Sequence, residues 1–450
     1  MVDMVSLAEK TVAKVMRLGA TDCDVMVSDV NLMTAEIEKG SVKQASTLGD
    51  PGMSIRAYAR GSMGFAYCTG HSASSVARAA TLAAAMAKAG TPDKDFRGLP
   101  SRSKVGRLAG LYDRRVAETS PEQVVERVMD LAAIAGDDGR IYSVNAGVLV
   151  ASSELALANS NGFSASQRMT SYDVFAEAVA KSGDAMFSGV EGMSGRRLDE
   201  GFIEFVGKAA RESAVRGLRQ TRVATGDYPV VIDPLGLAWI LSNGIVGGAN
   251  AESVQRGRSY LTGKKGSRIG SKQLTISEDP SIEWASGSTA FDGEGTPCAP
   301  KKIVEKGVLR TYLHDSYTAG KEGVESTGNS SRGSSVWSYR GPPGISMTNM
   351  VVGRGRSSLD EMVRETKDGV YLRLTMDYPN LATGELSGLM MESFRIVKGE
   401  MGPALKQSTI GISMFDLLSR IDMVGSKQRS AYGVMAPAVR ISKARIAGSG

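Results

Sequence analysis

The chain has 450 residues, with 54 Lys and Arg against 48 Asp and Glu, a formal charge of +6. Its only histidines are His71 and His314, and its only cysteines are Cys23, Cys68 and Cys298. That scarcity excludes an H-E-x-x-H zinc helix, C-x-x-C pairs and a disulfide framework, and it fits a reducing, cytoplasmic setting.

The first helix is expected from Val5, Ala8, Val12, Val15 and Met16, which share one face and stop at Gly19. Residues 1 to 10 lack the basic start and apolar run of a signal peptide. Strands are expected at 23–28, 32–38 and 41–47, with Lys39-Gly40 turning between the last two, then at 53–59 and 62–68. An Ala-rich helix follows over 74–89, and 91–119 is a polar connection. Ser120-Pro121-Glu122-Gln123 carries an N-cap, a proline at the first helical position and a capping-box glutamine, which predicts a helix to Ala135.

Further strands are expected at 141–150, 154–158, 163–169 and 172–179, with Asn161-Gly162 as a hairpin turn. A glycine-rich stretch, 183–195, precedes a long helix over 198–218, and a boundary is placed at 219–228. Beyond it, strands at 228–233, 370–378, 390–398 and 436–446 surround an apolar, mostly helical segment at 234–246. Residues 302–315 read as a hairpin about Lys306-Gly307, and 413–421 as a short helix. No run approaches about 18 apolar residues, so no membrane-spanning helix is expected. The densest basic cluster is only Lys264, Lys265 and Arg268, so a nucleic-acid surface is not expected either.

Catalytic patterns are missing: no phosphate-binding G-x-x-x-x-G-K-[ST] loop, no G-x-G-x-x-G after a strand, no G-x-S-x-G elbow. His314 reads as a strand-end residue near the surface, and His71 as a loop or capping residue. Cys298, between two prolines, has no histidine close in sequence. Asp292-Gly293-Glu294-Gly295 offers two carboxylates for acid–base work or a cation, or a tight turn capping two strands.

A collinear set of segments resembles the TldD/PmbA family. They begin with Ile37-Glu38-Lys39-Gly40-Ser41-Val42-Lys43, Gly52-Met53-Ser54-Ile55-Arg56 and Gly64-Phe65-Ala66-Tyr67. The second half adds Arg258-Ser259-Tyr260-Leu261-Thr262-Gly263-Lys264 and Phe291-Asp292-Gly293-Glu294-Gly295-Thr296-Pro297. Glu305-Lys306-Gly307-Val308-Leu309, Ser326-Thr327-Gly328-Asn329, Met423-Val424-Gly425 and Ile446-Ala447-Gly448 complete the order. The catalytic TldD type carries His-Glu-x-x-x-His on a helix after the strand matching 228–233, and a cysteine ligand near the C-terminus. Here 234–245 has neither His nor Glu, and 427–440 has no Cys.

The resemblance therefore implies the TldE/PmbA side: a non-catalytic subunit of a zinc metalloprotease, without a metal or cofactor of its own. Zinc and the general base would come from an H-E-x-x-x-H partner, and an unfolded peptide would be the substrate. The order of strands and helices points to an α+β fold, with an N-terminal layered domain of mostly antiparallel strands over 1–220. A β-rich, barrel-like domain would span 221–450. Asn329, Arg332, Trp337 and Tyr339 are candidates for lining the peptide cleft, or else belong to a structural loop packed at a domain edge. The rival readings are a self-sufficient hydrolase using His314, Cys298 or Asp292 with Glu294, and a DNA- or topoisomerase-associated binding protein. A homodimer in place of a heterodimer also stands open.

Overall fold

The computed structural model describes residues 3–333 and 338–448. The first half is one seven-stranded antiparallel sheet covered on one face by four helices. Its strands are β1 (Asp22–Glu38), β2 (Ser41–Gly49), β3 (Gly52–Ala59), β4 (Ser62–Thr69), β5 (Ile141–Asn159), β6 (Ser164–Ser182) and β7 (Ala185–Gly195). The order is β4-β3-β1-β5-β6-β7, with β2 also paired to β1. Helices α1 (Met4–Arg17) and α2 (Ala73–Ala89) bury Val12, Val15, Ala80 and Ala84 on Val25, Val27, Met53 and Ile55. Helices α3 (Pro121–Gly136) and α4 (Gly201–Arg216) bury Val128, Leu131, Val206 and Ala210 on Val148, Val150, Tyr172 and Val174.

Side chains alternate across a strand. The intervening residues Asp24, Met26, Ser54, Arg56 and Leu157 therefore face away from the helices, toward the second half of the chain.

The long strands differ from the expected pairs of short ones. Residues 23–28 and 32–38 are one strand, as are 141–150 with 154–158 and 163–169 with 172–179. The polar breaks align across the sheet, Asp29 opposite Glu154 and Asn31 opposite Ser152. They fall between the α1/α2 core and the α3/α4 core, where the strands continue without a helix to bury them. The glycine-rich stretch is the edge strand β7, and α4 starts at Gly201. A Cβ on Gly189 would lie 2.1 Å from the Ala210 carbonyl, so glycine there admits α4 against the sheet.

The second half centres on α5 (Pro234–Ala249), which follows strand β8 (Gly226–Ile232). It also contains β9 (Asp368–Leu374), β10 (Glu392–Val397), β11 (Glu400–Leu405), β12 (Ile421–Ala431), β13 (Val434–Ala447) and helix α6 (Leu359–Thr366). Its thirteen-stranded sheet branches at β13, which pairs with β8, β12, Met350–Val352 and Thr409–Ser413. From β13 the order continues through β8, β9, β10 and β11 to Gln220–Thr221. This half is β-rich as expected; among the described residues no pairing closes its sheet, and β13 gathers several short strands against α5.

The hairpin at Lys306-Gly307 has a short second arm, Val308–Leu309, and Asp315 caps a helix, Ser316–Glu322. No helix among the described residues is long and apolar enough to cross a membrane.

Candidate functional site

Helix α5 starts because Asp233 accepts the Leu235 amide at 2.8 Å and Pro234 sits at its first turn. Most of it is core: Leu235, Leu237, Ile240, Leu241 and Ile245 are buried among β-strand residues. One stripe stays partly exposed, formed by Trp239, Ser242, Asn243, Val246 and Gly247. Ser242 Oγ and Asn243 Nδ2 both donate to the Trp239 carbonyl, at 3.0 and 2.9 Å. Trp239 Nε1 donates to the Asp377 carbonyl at 3.1 Å, and its ring meets Tyr432 edge-on at 5.0 Å.

A helical H-E-x-x-x-H set needs positions i, i+1 and i+5 on an accessible face. On α5 only Ser242, Asn243 and Gly247 meet that requirement together. A hydroxyl, a carboxamide and a glycine do not make a zinc site, so these residues do not fit the metal that the resemblance implies. Among the described residues, no group of three or more His, Cys, Asp or Glu could hold a metal ion.

Beside the first turn of α5 lies a cavity of about 360 Å³ between the two sheets, lined by Thr34, Glu36, Leu149, Asp173, Phe175 and Tyr432 among others. Burial raises the Asp173 carboxyl above its ordinary range. Around the open stripe, Met376, Tyr378, Leu381, Leu389, Met391 and Tyr432 are exposed, Tyr378 at 66%. Chain contacts tie most of these to one place: the Leu389 amide donates to Asp377 Oδ2, and Gly247 faces Leu381.

The residues expected to line the cleft take part in buried polar networks. Asn329 is buried, its Nδ2 donating to both oxygens of Glu278 at 2.9 Å and to the Ser346 carbonyl at 2.8 Å. Lys301 Nζ neutralises Glu278 from 2.7 Å. Arg332 donates to Asp24 Oδ1 at 2.7 Å, Ser54 Oγ at 3.0 Å and the Gly293 carbonyl at 2.8 Å. Tyr339 is fully buried, and its hydroxyl donates to Asp50 Oδ1 at 2.8 Å. Trp337 lies outside the described residues. The three described side chains are thus engaged with buried polar groups, two of them at the seam between the halves.

The Asp292/Glu294 turn belongs to that seam. Glu294 accepts from Arg56 Nη1 at 2.9 Å and from the Ser316 amide at 2.9 Å, while Arg56 also pairs with Asp24. Burial opposes ionisation of Asp24, but Arg56 and Arg332 hold its carboxyl below the usual range. Asp292 caps its own turn through the Glu294 and Thr296 amides, both at 2.9 Å. Burial, with Glu294 adding to it, pushes its carboxyl up to about 7.

His314 is buried, contrary to the surface position expected; the Ser326–Asn329 loop folds over its backbone. Its ring nitrogens have no hydrogen-bond partner among the described residues, Glu322 Oε2 standing 3.7 Å from Nε2. Burial lowers its pKa. Cys298 Sγ contacts the Gly328 carbonyl at 3.4 Å, and burial raises its thiol. No hydrogen bond among the described residues joins Cys298 to His314 as nucleophile to base. His71 is a loop residue ahead of the Ser72 N-cap, its Nε2 at 3.1 Å from the Gly52 carbonyl.

Sequence reasoning missed a second seam. Arg373 on β9 pairs with Glu191 on β7 at 2.7 Å and with Glu392 on β10, and Arg429 on β12 also pairs with Glu191. One signal was available, since Arg373 interrupts the otherwise apolar run Val370–Leu374.

With this geometry in place, similarity to known proteins is extensive. Residues 23–87 match domain 1, residues 114–218 the central domain and residues 225–448 the C-terminal domain of PmbA/TldA metallopeptidases. The first two of these share the single seven-stranded sheet. A metalloprotease of Methanothermobacter thermautotrophicus is 30% identical over 313 residues, covering 68% of this chain and 67% of that protein. Metalloprotease PmbA of Escherichia coli O157:H7 is 25% identical, covering 98% and 96%. The crystal structure of TldE from Thermococcus kodakarensis superposes with a TM-score of 0.90 at 22% identity, covering 98% and 99%. The chain belongs to the PmbA/TldD metallopeptidase family.

Proposed function

We propose that this chain is the metal-free, non-catalytic subunit of a two-component metalloprotease, acting in the cytoplasm with an H-E-x-x-x-H partner. The observation that carries this reading is the open stripe of α5. It presents Ser242, Asn243 and Gly247 where a family peptidase helix would need two histidines and a glutamate. A chain with no ligand at any of the three positions supplies neither the metal nor its general base, so both fall to the partner.

The exposed apolar side chains around Trp239 and Tyr432 are the surface on which that partner would sit. The adjoining cavity, between the α5 N-terminus and the polar face of the first sheet, would then form one wall of a shared cleft. An unfolded peptide is the substrate that such a cleft favours, since exposed backbone groups can be satisfied by strand addition. The likeness in fold to a protein named TldE supports the assignment to this side of the complex.

The test is purification of the chain alone and with a co-expressed H-E-x-x-x-H family member, followed by zinc analysis and hydrolysis of an unfolded protein. The expected result is zinc and hydrolysis only in the mixed preparation, eluting as a hetero-oligomer. Stoichiometric zinc with hydrolysis by the chain alone overturns the reading.

A further inference from the structure

A second, larger crevice opens at the far end of the first sheet, with a volume of about 1270 Å³. It touches Ser182 and Ala185 at the β6–β7 turn, whereas the α5 cavity touches Asp173 and Ser194 on the same two strands. At about 3.3 Å per residue the two are separated by roughly 23–30 Å along these strands. Its walls come from both halves: the C-terminal end of α4, helix α6 and the turn joining β10 to β11.

The charged residues of this crevice are mostly basic. Arg140, Arg216, Arg219, Arg364 and Lys398 line it, against the carboxylates of Asp360 and Glu400. Arg140 is paired with Asp138. Among the described residues the other four cations form no ion pair, although nearby arginines such as Arg395 and Arg440 do. Between the cations the floor is apolar, formed by Val215, Leu218, Leu359, Val363, Met401 and Pro403.

We infer that this crevice is a docking site for an acidic peptide segment whose carboxylates alternate with apolar side chains. Arginines dominate the rim, and their planar forks suit carboxylates. The volume exceeds that of an ordinary small-molecule pocket, which favours an extended ligand. Nucleic acid is the poorer fit, because its closely spaced phosphates would meet Asp360 and Glu400 as well as the cations. The site stands apart from the metal-free reading of α5 and would bind whether or not that reading holds.

The experiment is fluorescence anisotropy of a labelled peptide alternating Glu and Leu, titrated with the full chain, alongside a Lys–Leu peptide and a single-stranded oligonucleotide. The expected result is salt-sensitive binding of the Glu–Leu peptide alone. It should weaken by at least about tenfold in Arg219→Glu/Arg364→Glu, the outcome for two lost and reversed contacts. Lys94→Glu/Lys272→Glu, with the same charge change outside the crevice, should leave it unchanged. All four positions are exposed, so both variants should fold, and an unchanged circular dichroism melt checks that. No binding of the Glu–Leu peptide, equal loss in the two double variants, or tighter binding of the oligonucleotide each overturns the proposal.

Discussion

Arg332 Nη2 stands 2.7 Å from Asp24 Oδ1, a buried ion pair between residues 308 positions apart in the chain. Through it the 330s loop of the second half is fastened to the first strand of the sheet. The same guanidinium reaches Ser54 Oγ and the Gly293 carbonyl, so one side chain meets acceptors on three segments. A residue that was a candidate for lining the peptide cleft meets a carboxylate of the protein's own.

Truncating Arg332 to Ala should therefore cost stability before it touches any activity. It would leave Asp24 with Arg56 alone and strand two further acceptors, a loss of about 3–5 kcal/mol for breaking a buried pair. Urea unfolding checks this. A loss below about 1 kcal/mol, with a raised KM in the reconstituted protease, would return Arg332 to the cleft.

Asp292 predicts the sign of one pH effect. Its folded-state pKa, raised to about 7, lies above the unfolded value near 4. Between those two values the folded protein holds a proton that the unfolded chain does not. This group's contribution to stability is therefore complete below pH 4 and is lost as pH rises through about 7. Asp292→Asn pays a fixed cost at the Ser330 amide but cannot ionise. The stability difference between parent and variant should shift toward the variant by a few kcal/mol at most from pH 4 to pH 8. A difference independent of pH would contradict the assignment.

Gly189→Ala should destabilise by about 1–3 kcal/mol, because the added Cβ meets the Ala210 carbonyl and the Ala214 amide of α4. Thermal melts read this directly. A neutral result would mean that α4 shifts freely on the sheet.

Tyr378→Asp with Leu389→Asp should weaken association with the partner by at least about tenfold, since both side chains are exposed apolar groups in the patch beside α5. The melting temperature of the isolated chain should hardly move. Unchanged association, measured by analytical ultracentrifugation, would place the partner elsewhere.

Local features were legible where local physics decides them. The Ser120/Gln123 capping box forms as expected, with both of its hydrogen bonds present. The Lys39-Gly40 and Lys306-Gly307 turns sit where the glycines put them. The continuity of β1, β5 and β6 was hidden because Asp29, Asn31 and Ser152 look like loop residues unless their cross-strand partners are known. The seams were harder still. Arg332 with Asp24, and Arg373 with Glu191, join groups far apart in the chain, so no window of sequence contains both. The absent ligands on α5 were fully legible, but which three positions they would occupy needed the exposed stripe of Trp239, Ser242, Asn243 and Gly247.

In the proposed complex, catalysis resides in the partner and not in this chain. The most direct measurement is hydrolysis of an unfolded protein by the reconstituted complex when the glutamate of the partner's H-E-x-x-x-H motif is replaced by Gln. Activity should disappear while the complex and this chain remain intact. Activity that persists, and that is lost only when residues of this chain such as Asp173 are changed, would contradict it.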